Sequence, residues 1–173
     1  MKYLSITIIF CLVAFNVYAQ KIATFKFAFI LENLPAYNDF ITHINDFKKK
    51  RFEELRKQEE LLIIKKKEID DSEVLLSKNE YLIIITEFNE SKNNFENSVN
   101  KLNNYLKENI ELTEKKILNE IANIIKELAT ENSLDIVFFD EQYFLASDSI
   151  DISDQISNSL NNIKITLQLS LYE

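Results

Sequence analysis

The chain has 173 residues, 46% of them hydrophobic and 28% charged, and its 20 basic and 28 acidic side chains give a formal net charge of -8. It holds no Gly and no Trp, and a single Pro, Cys, Met and His. The lack of Gly excludes a phosphate-cradling loop, a nucleophile elbow and a Rossmann fingerprint, each of which needs backbone that only Gly adopts at low cost.

Most enzyme classes are thereby disfavoured, and the expectation is a folded chain without enzymatic activity or a cofactor. With almost no turn chemistry, it should be built from a few long helices rather than many short strands.

At the N-terminus, Lys2 precedes an apolar run over residues 3–15 that closes on Val17 and Ala19. This pattern predicts an export signal cleaved between Ala19 and Gln20. The run falls short of the about 20 residues that a membrane span needs. Residues 1–19 contain the only Cys, so the exported part can form no disulfide, and 19 basic against 28 acidic residues leave it at -9. Packing alone must then stabilise it, and a thin helical protein gains packing by self-association.

Residues 21–27 alternate imperfectly and predict a short strand, and the apolar residues 28–34 predict a helical turn. Pro35 marks a boundary, because the residue before Pro is driven out of the helical region while Pro tolerates a helix's first turn. Beyond it Phe40, Ile41, Ile44, Phe47, Leu55, Leu62 and Ile69 recur at mostly three-to-four spacing, which predicts an amphipathic helix over 36–70. At about 1.5 Å per residue it would reach on the order of 50 Å.

Ser77 and Glu80 form a Ser-x-x-Glu capping box, so a second helix should start near Lys78 and run to about 131. The two helices must turn back on each other. A turn centred near residue 74 would set Phe52 against Phe95 and the apolar run 61–64 against 82–85.

The β-branched and aromatic run 134–139, a turn at 140–142 and the apolar run 143–146 predict a β-hairpin. A short helix should follow from Asp151 through Leu160. Residues 163–171 then alternate strictly between apolar and polar, which predicts an extra strand. The fold class is therefore α+β: a long antiparallel helical hairpin, residues 36–131, on a small β body from residues 20–35 and 132–173. Strands this short make only a marginal core, so Ile22, Phe25, Ile136, Val137 and Phe138 are candidates for a core shared between copies of the chain.

Two features of the hairpin could carry function. The runs 61–64 and 82–85 contain more consecutive apolar residues than a two-helix seam can cover, making Leu61, Ile64, Ile84 and Ile85 candidate gripping residues; the competing reading is burial within the coiled coil. Lys48, Lys49, Lys50, Lys65, Lys66 and Lys67 cluster on the first helix, while Lys164 is the only basic residue from 131 onward. Such a run could steer acidic or mixed-charge partners, or be simply a solvated helix face. Nucleic acid is disfavoured as a partner by export, net acidity and the lack of a basic-aromatic motif. Asp148, Asp151 and Asp154 are read as helix-start residues rather than a cation site, and His43 has no second ligand near it in sequence.

Three segments carry a family resemblance. Lys21-Ile22-Ala23, Ile30-Leu31 and Pro35-Ala36 are similar to the opening strand and helix entry of the Skp/OmpH family of periplasmic chaperones for outer-membrane proteins. The stretch from Ile117 to Asn132, followed by Leu134-Asp135-Ile136-Val137, resembles that family's second-helix end and next strand. Asp151-Ile152-Ser153-Asp154 matches its Asp-Ile-Thr/Ser-Asp segment. Lys26 stands where the family's opening strand carries an acidic residue.

The resemblance covers roughly residues 21–162. It implies a periplasmic homotrimer in which a small β body carries helical arms, jellyfish-like, around a cavity that holds unfolded outer-membrane β-barrel proteins without ATP. The acidic balance argues against binding of lipid or lipopolysaccharide. The alternative from another class is a structural coiled-coil protein of the cell envelope or surface.

Overall fold

The structure, a computed structural model, describes residues 20–72 and 75–172; the expected signal cleavage site after Ala19 falls at the edge of, and the signal itself outside, the described residues. Its elements are β1 (Ile22–Phe25), α1 (Phe27–Glu32), α2 (Pro35–Ser72), α3 (Lys78–Asn132), β2 (Ile136–Phe139) and α4 (Ser153–Asn161). The chain divides into two compact units. One takes the residues up to Asn33 with Ile121–Asn162, and the other takes Leu34–Glu120 with the residues from Ile163 onward.

In the first unit β1 and β2 form a parallel pair, in which Ile22, Ala23, Thr24 and Phe25 sit opposite Ile136, Val137, Phe138 and Phe139. Ala23 and Phe25 are buried with Ile30, Leu31, Ile121, Ile124, Ile152, Ile156 and Leu160. The amphipathic α4 packs against α1. The Phe25 and Phe139 rings lie with centroids 6.0 Å apart.

α3 stops at Ser133, whose φ of 54° is left-handed. Leu134 N–H then donates to Ala129 O at 3.0 Å, closing the six-residue ring of a Schellman stop without the usual Gly. Lys21 Nζ donates to Asn132 O at 3.1 Å and satisfies one more carbonyl of that helix end.

In the second unit α2 and α3 form an antiparallel hairpin. Ser77 and Glu80 make the expected capping box: Glu80 N–H donates to Ser77 Oγ at 3.4 Å, and Ser77 N–H donates to Glu80 Oε2 at 3.0 Å. The Ser77 hydroxyl also donates to Glu80 Oε2 at 2.6 Å, and this bond, then the one from Ser77 N–H, holds the Glu80 carboxyl below its ordinary value. Phe40, Ile44, Leu102, Asn109, Thr113 and Ile117 form a buried stretch of the seam. There the Tyr37 hydroxyl donates to Glu114 Oε1 at 3.0 Å. Burial, then that bond to a carboxylate, pushes the Tyr37 phenol up to about 12.

Three expectations are corrected. No β-hairpin forms over 134–146: β2 pairs in parallel with β1, a 3₁₀ turn follows at Asp140–Gln142, and Tyr143 to Ala146 form no strand. The reason is that Asp140 turns its carboxylate to accept Phe27 N–H at 3.2 Å, which caps α1 and diverts the chain before it can fold back.

Residues 163–171 form no strand either. They lie extended on the helical hairpin, where the half-buried Ile165, Leu167 and Leu169 find apolar surface. The hairpin register also differs from that expected. Phe47 meets Tyr105, with ring centroids 5.1 Å apart, and Lys65 Nζ donates to Ser91 Oγ at 3.3 Å, so the run 61–64 faces residues beyond 87 rather than 82–85.

Candidate functional site

The register decides which apolar residues the hairpin leaves uncovered. On α2 only Leu55 and Ile69 are buried beyond Phe52, and on α3 no residue before Leu102 is buried. Leu62, Ile84, Phe88 and Phe95 are half-buried along the seam. Leu61, Ile63, Ile64, Leu82 and Ile83 are exposed, Ile63 by 64%. The helical period explains this directly: four consecutive apolar residues span more than a full turn, so a single partner helix cannot cover them all.

Two grooves flank the seam here. One is lined by Leu61, Leu62, Lys65, Ser91, Asn94 and Phe95. The other has an apolar floor of Leu62, Ile63, Phe88 and Phe95, with Glu59, Lys66, Lys92 and Glu96 at its rim. A third concavity nearer the turn brings Ile84 together with Ile69, Leu76, Phe88, Lys65 and Glu68. Apolar floors with charges of both signs at the rim can hold apolar side chains weakly while staying hydrated around them.

The sequence-derived candidates therefore separate. Leu61 and Ile64 are outward-facing, whereas Ile84 and Ile85 are half-buried and Ile84 belongs to the seam. Sequence reasoning passed over Ile63, Leu82 and Ile83, which are at least half exposed; the signal was present in the same two runs, but the register was needed to choose among their members.

The basic run is split by geometry. Lys65 and Lys66 belong to the grooves, and Lys66 pairs with Asp70 one turn on. Lys67 is exposed. Lys48, Lys49 and Lys50 are exposed too, about 25 Å away along α2. Lys48 Nζ sits 5.8 Å from the Phe52 ring centroid.

In the first unit, Phe25 is buried, Val137 and Phe138 are half-buried, and Ile22 and Ile136 are more than a third exposed as a register pair. Phe144 and Leu145 are almost fully solvent-exposed. Asp151 accepts Ser153 N–H at 2.9 Å, as a helix-start residue should, and also pairs with Lys26. Among the described residues no helix is long and apolar enough to cross a membrane.

Comparison with known proteins places this geometry. No curated protein matches the chain in sequence. The solved structure of a Caulobacter crescentus protein, designated a candidate outer membrane chaperone (OmpH-like), superposes with a TM-score of 0.67 at 14% identity, covering 90% of this chain and 92% of that one. At that identity the match speaks for the fold. The family described as outer membrane protein (OmpH-like) matches residues 21–160, from the first strand through α4. On a match that spans most of its length, the chain belongs to the OmpH-like outer membrane protein family.

Proposed function

We propose that this protein is an ATP-independent holdase chaperone of the periplasm, which binds unfolded outer-membrane β-barrel proteins and keeps them from aggregating. The observation that carries this reading is the stretch of α2 and α3 with Leu61, Ile63, Ile64, Leu82 and Ile83 exposed among mixed charges, on a chain of the OmpH-like family. Exposed apolar side chains beside apolar grooves on a helical hairpin mark an interaction site. Many weak contacts suit a partner that must be released unaltered, because no single contact holds it.

The same reading makes the protein a homotrimer with export directed by residues 1–19. A two-stranded sheet is marginal in water, and parallel strands are normally covered on both faces. Among the described residues β2 pairs only with β1, which leaves its other edge open to a further copy. Ile22, Ile136, Phe144 and Leu145 supply apolar surface for that contact.

The test is a native mass measurement of the chain from Gln20 onward, alone and with a barrel protein diluted from denaturant, with light scattering followed in parallel. A soluble trimer that suppresses scattering is expected. Fibres or higher assemblies with no effect on scattering would instead identify an envelope scaffold.

A further inference from the structure

Residues 163–172 lie on the hairpin with their backbone polar atoms held by its side chains. Asn109 on α3 is only 4% exposed, and its Oδ1 accepts Ser170 N–H at 2.8 Å. Tyr105 Oη donates to Ser170 O at 2.7 Å, and Lys116 Nζ donates to Thr166 O at 2.6 Å. These three bonds end on main-chain atoms, and one more, from Ser170 Oγ to Asn109 Oδ1 at 3.1 Å, uses a side chain. The helix therefore holds this segment mainly by its extended backbone.

Side chains add a pattern, not an identity. Ile165, Leu167 and Leu169 are half-buried, while Lys164, Thr166 and Gln168 between them are exposed. This period of two, apolar on one side and polar on the other, is that of a strand from a membrane-spanning β-barrel. At the end of the segment the Tyr172 ring packs on Phe47 and Tyr105, with centroids 5.4 and 4.8 Å away. Arg51 stands 5.0 Å from that ring; its Nε is buried with no hydrogen-bond partner, and the ring faces supply the attraction instead. The segment also lies beyond residues 21–160, the part shared with the family.

We propose that the hairpin face beneath residues 163–172 is a docking site for extended client segments of alternating apolar and polar residues, and that the tail is its built-in competitor. The proposal rests on the holdase reading and specifies what kind of segment is gripped. A tethered occupant acts at an effective concentration of order millimolar. If it is docked nine-tenths of the time, a free segment binds about tenfold more weakly than to the empty face.

The test uses a fluorescent synthetic peptide with the sequence of residues 163–172, added to the chain from Gln20 onward and followed by anisotropy. The comparison protein carries Leu167→Asp, Leu169→Asp and Tyr172→Ala, so that its tail cannot dock. It should bind the peptide about tenfold more tightly than the wild type does, and more tightly than it binds a shuffled peptide lacking the alternation. Adding Tyr105→Phe, which keeps the ring and removes only the bond to Ser170 O, should lower that affinity severalfold with unchanged helicity.

Equal binding by wild type and tail variant, or equal binding of the shuffled peptide, overturns the proposal and leaves the tail a structural strap. Suppression of barrel-protein aggregation by the wild type is scored separately. Its absence rejects the holdase reading, whereas suppression without the peptide result rejects only the docking site.

Discussion

Lys26 and Asp151, far apart in sequence, meet with Nζ 2.8 Å from Oδ2. The same carboxylate accepts Ser153 N–H through its other oxygen, and Ser153 Oγ in turn accepts Lys26 N–H at 2.8 Å. Strand β1 is thus tied to the start of α4 by a closed ring of three residues. Lys26, basic where the family resemblance anticipates an acid, is what completes it.

That ring predicts a pH profile. Burial alone would raise the Asp151 carboxyl, but hydrogen bonds from Lys26 and Ser153 outweigh it and hold the group below its ordinary 3.8. Folding therefore favours the carboxylate, and its contribution is present above 3.8 and lost as pH falls through the lower folded value. The bond to Asp151 raises Lys26 above 10.5, so that contribution is complete below 10.5 and lost as pH rises past the folded value. Asp151→Asn should flatten the acid limb and lower stability near neutral pH by roughly 1–3 kcal/mol, the cost of breaking charged hydrogen bonds. Urea unfolding at pH 3 and pH 7 would reveal it; an unchanged acid limb in the variant would show that other carboxylates set it.

Ser133 predicts a stabilising change. Its φ of 54° costs a residue with a Cβ about 1–2 kcal/mol, and the chain has no Gly to place there. Ser133→Gly should raise stability by about 0.5–1 kcal/mol, because freedom gained in the unfolded chain offsets part of the relief. Ser133→Val should lower it. Thermal unfolding followed by circular dichroism orders the three proteins, and Gly falling below Ser would reject the argument.

The helices were legible because each carries its own punctuation. Pro35, the Ser77–Glu80 box and the polar stretch before Leu134 mark ends that lie within a residue or two of α2 and α3. The β elements were not, since a short apolar run does not say which partner it takes. Residues 143–146 looked like a return strand, yet Asp140 spends its carboxylate on Phe27, a contact invisible at any local spacing. The alternation of 163–171 predicts a strand, but the segment's partner is a helix surface, which offers side-chain rather than ladder hydrogen bonds. In the candidate site the two apolar runs announced themselves, while the choice between Ile64 and Ile84 depended on a hairpin register that periodicity alone leaves free.

That register predicts different outcomes for neighbouring isoleucines. Ile63→Ser with Ile64→Ser removes exposed side chains, and surface changes of this kind usually move stability by no more than about 0.5 kcal/mol. Helicity should therefore hold while protection of an unfolded barrel protein falls. Ile69, buried at 6% exposure, should behave oppositely: Ile69→Ser should cost about 2–5 kcal/mol and fray the hairpin near its turn. Circular dichroism beside an aggregation assay separates the two. Full protection by the Ile63/Ile64 double variant would remove these residues from the client surface.

The basic residues of α2 predict how clients arrive rather than how long they stay. Lys48, Lys49 and Lys50 are exposed, as is Lys67, and Lys65 and Lys66 border the apolar grooves, all on a chain of net charge -8. Charges at the rim act mainly on the association rate, whereas dissociation follows short-range contacts. Raising salt from 10 to 150 mM shortens the screening length from about 30 to about 8 Å, so capture of a negatively charged unfolded client should slow severalfold. Changing the six lysines to Gln should remove most of that slope, with the dissociation rate nearly unchanged. Stopped-flow fluorescence at the two salt concentrations measures both. A wild-type rate that is flat with salt, or a Gln variant that keeps the wild-type slope, would mean that the lysines only solvate the helix and that capture is apolar.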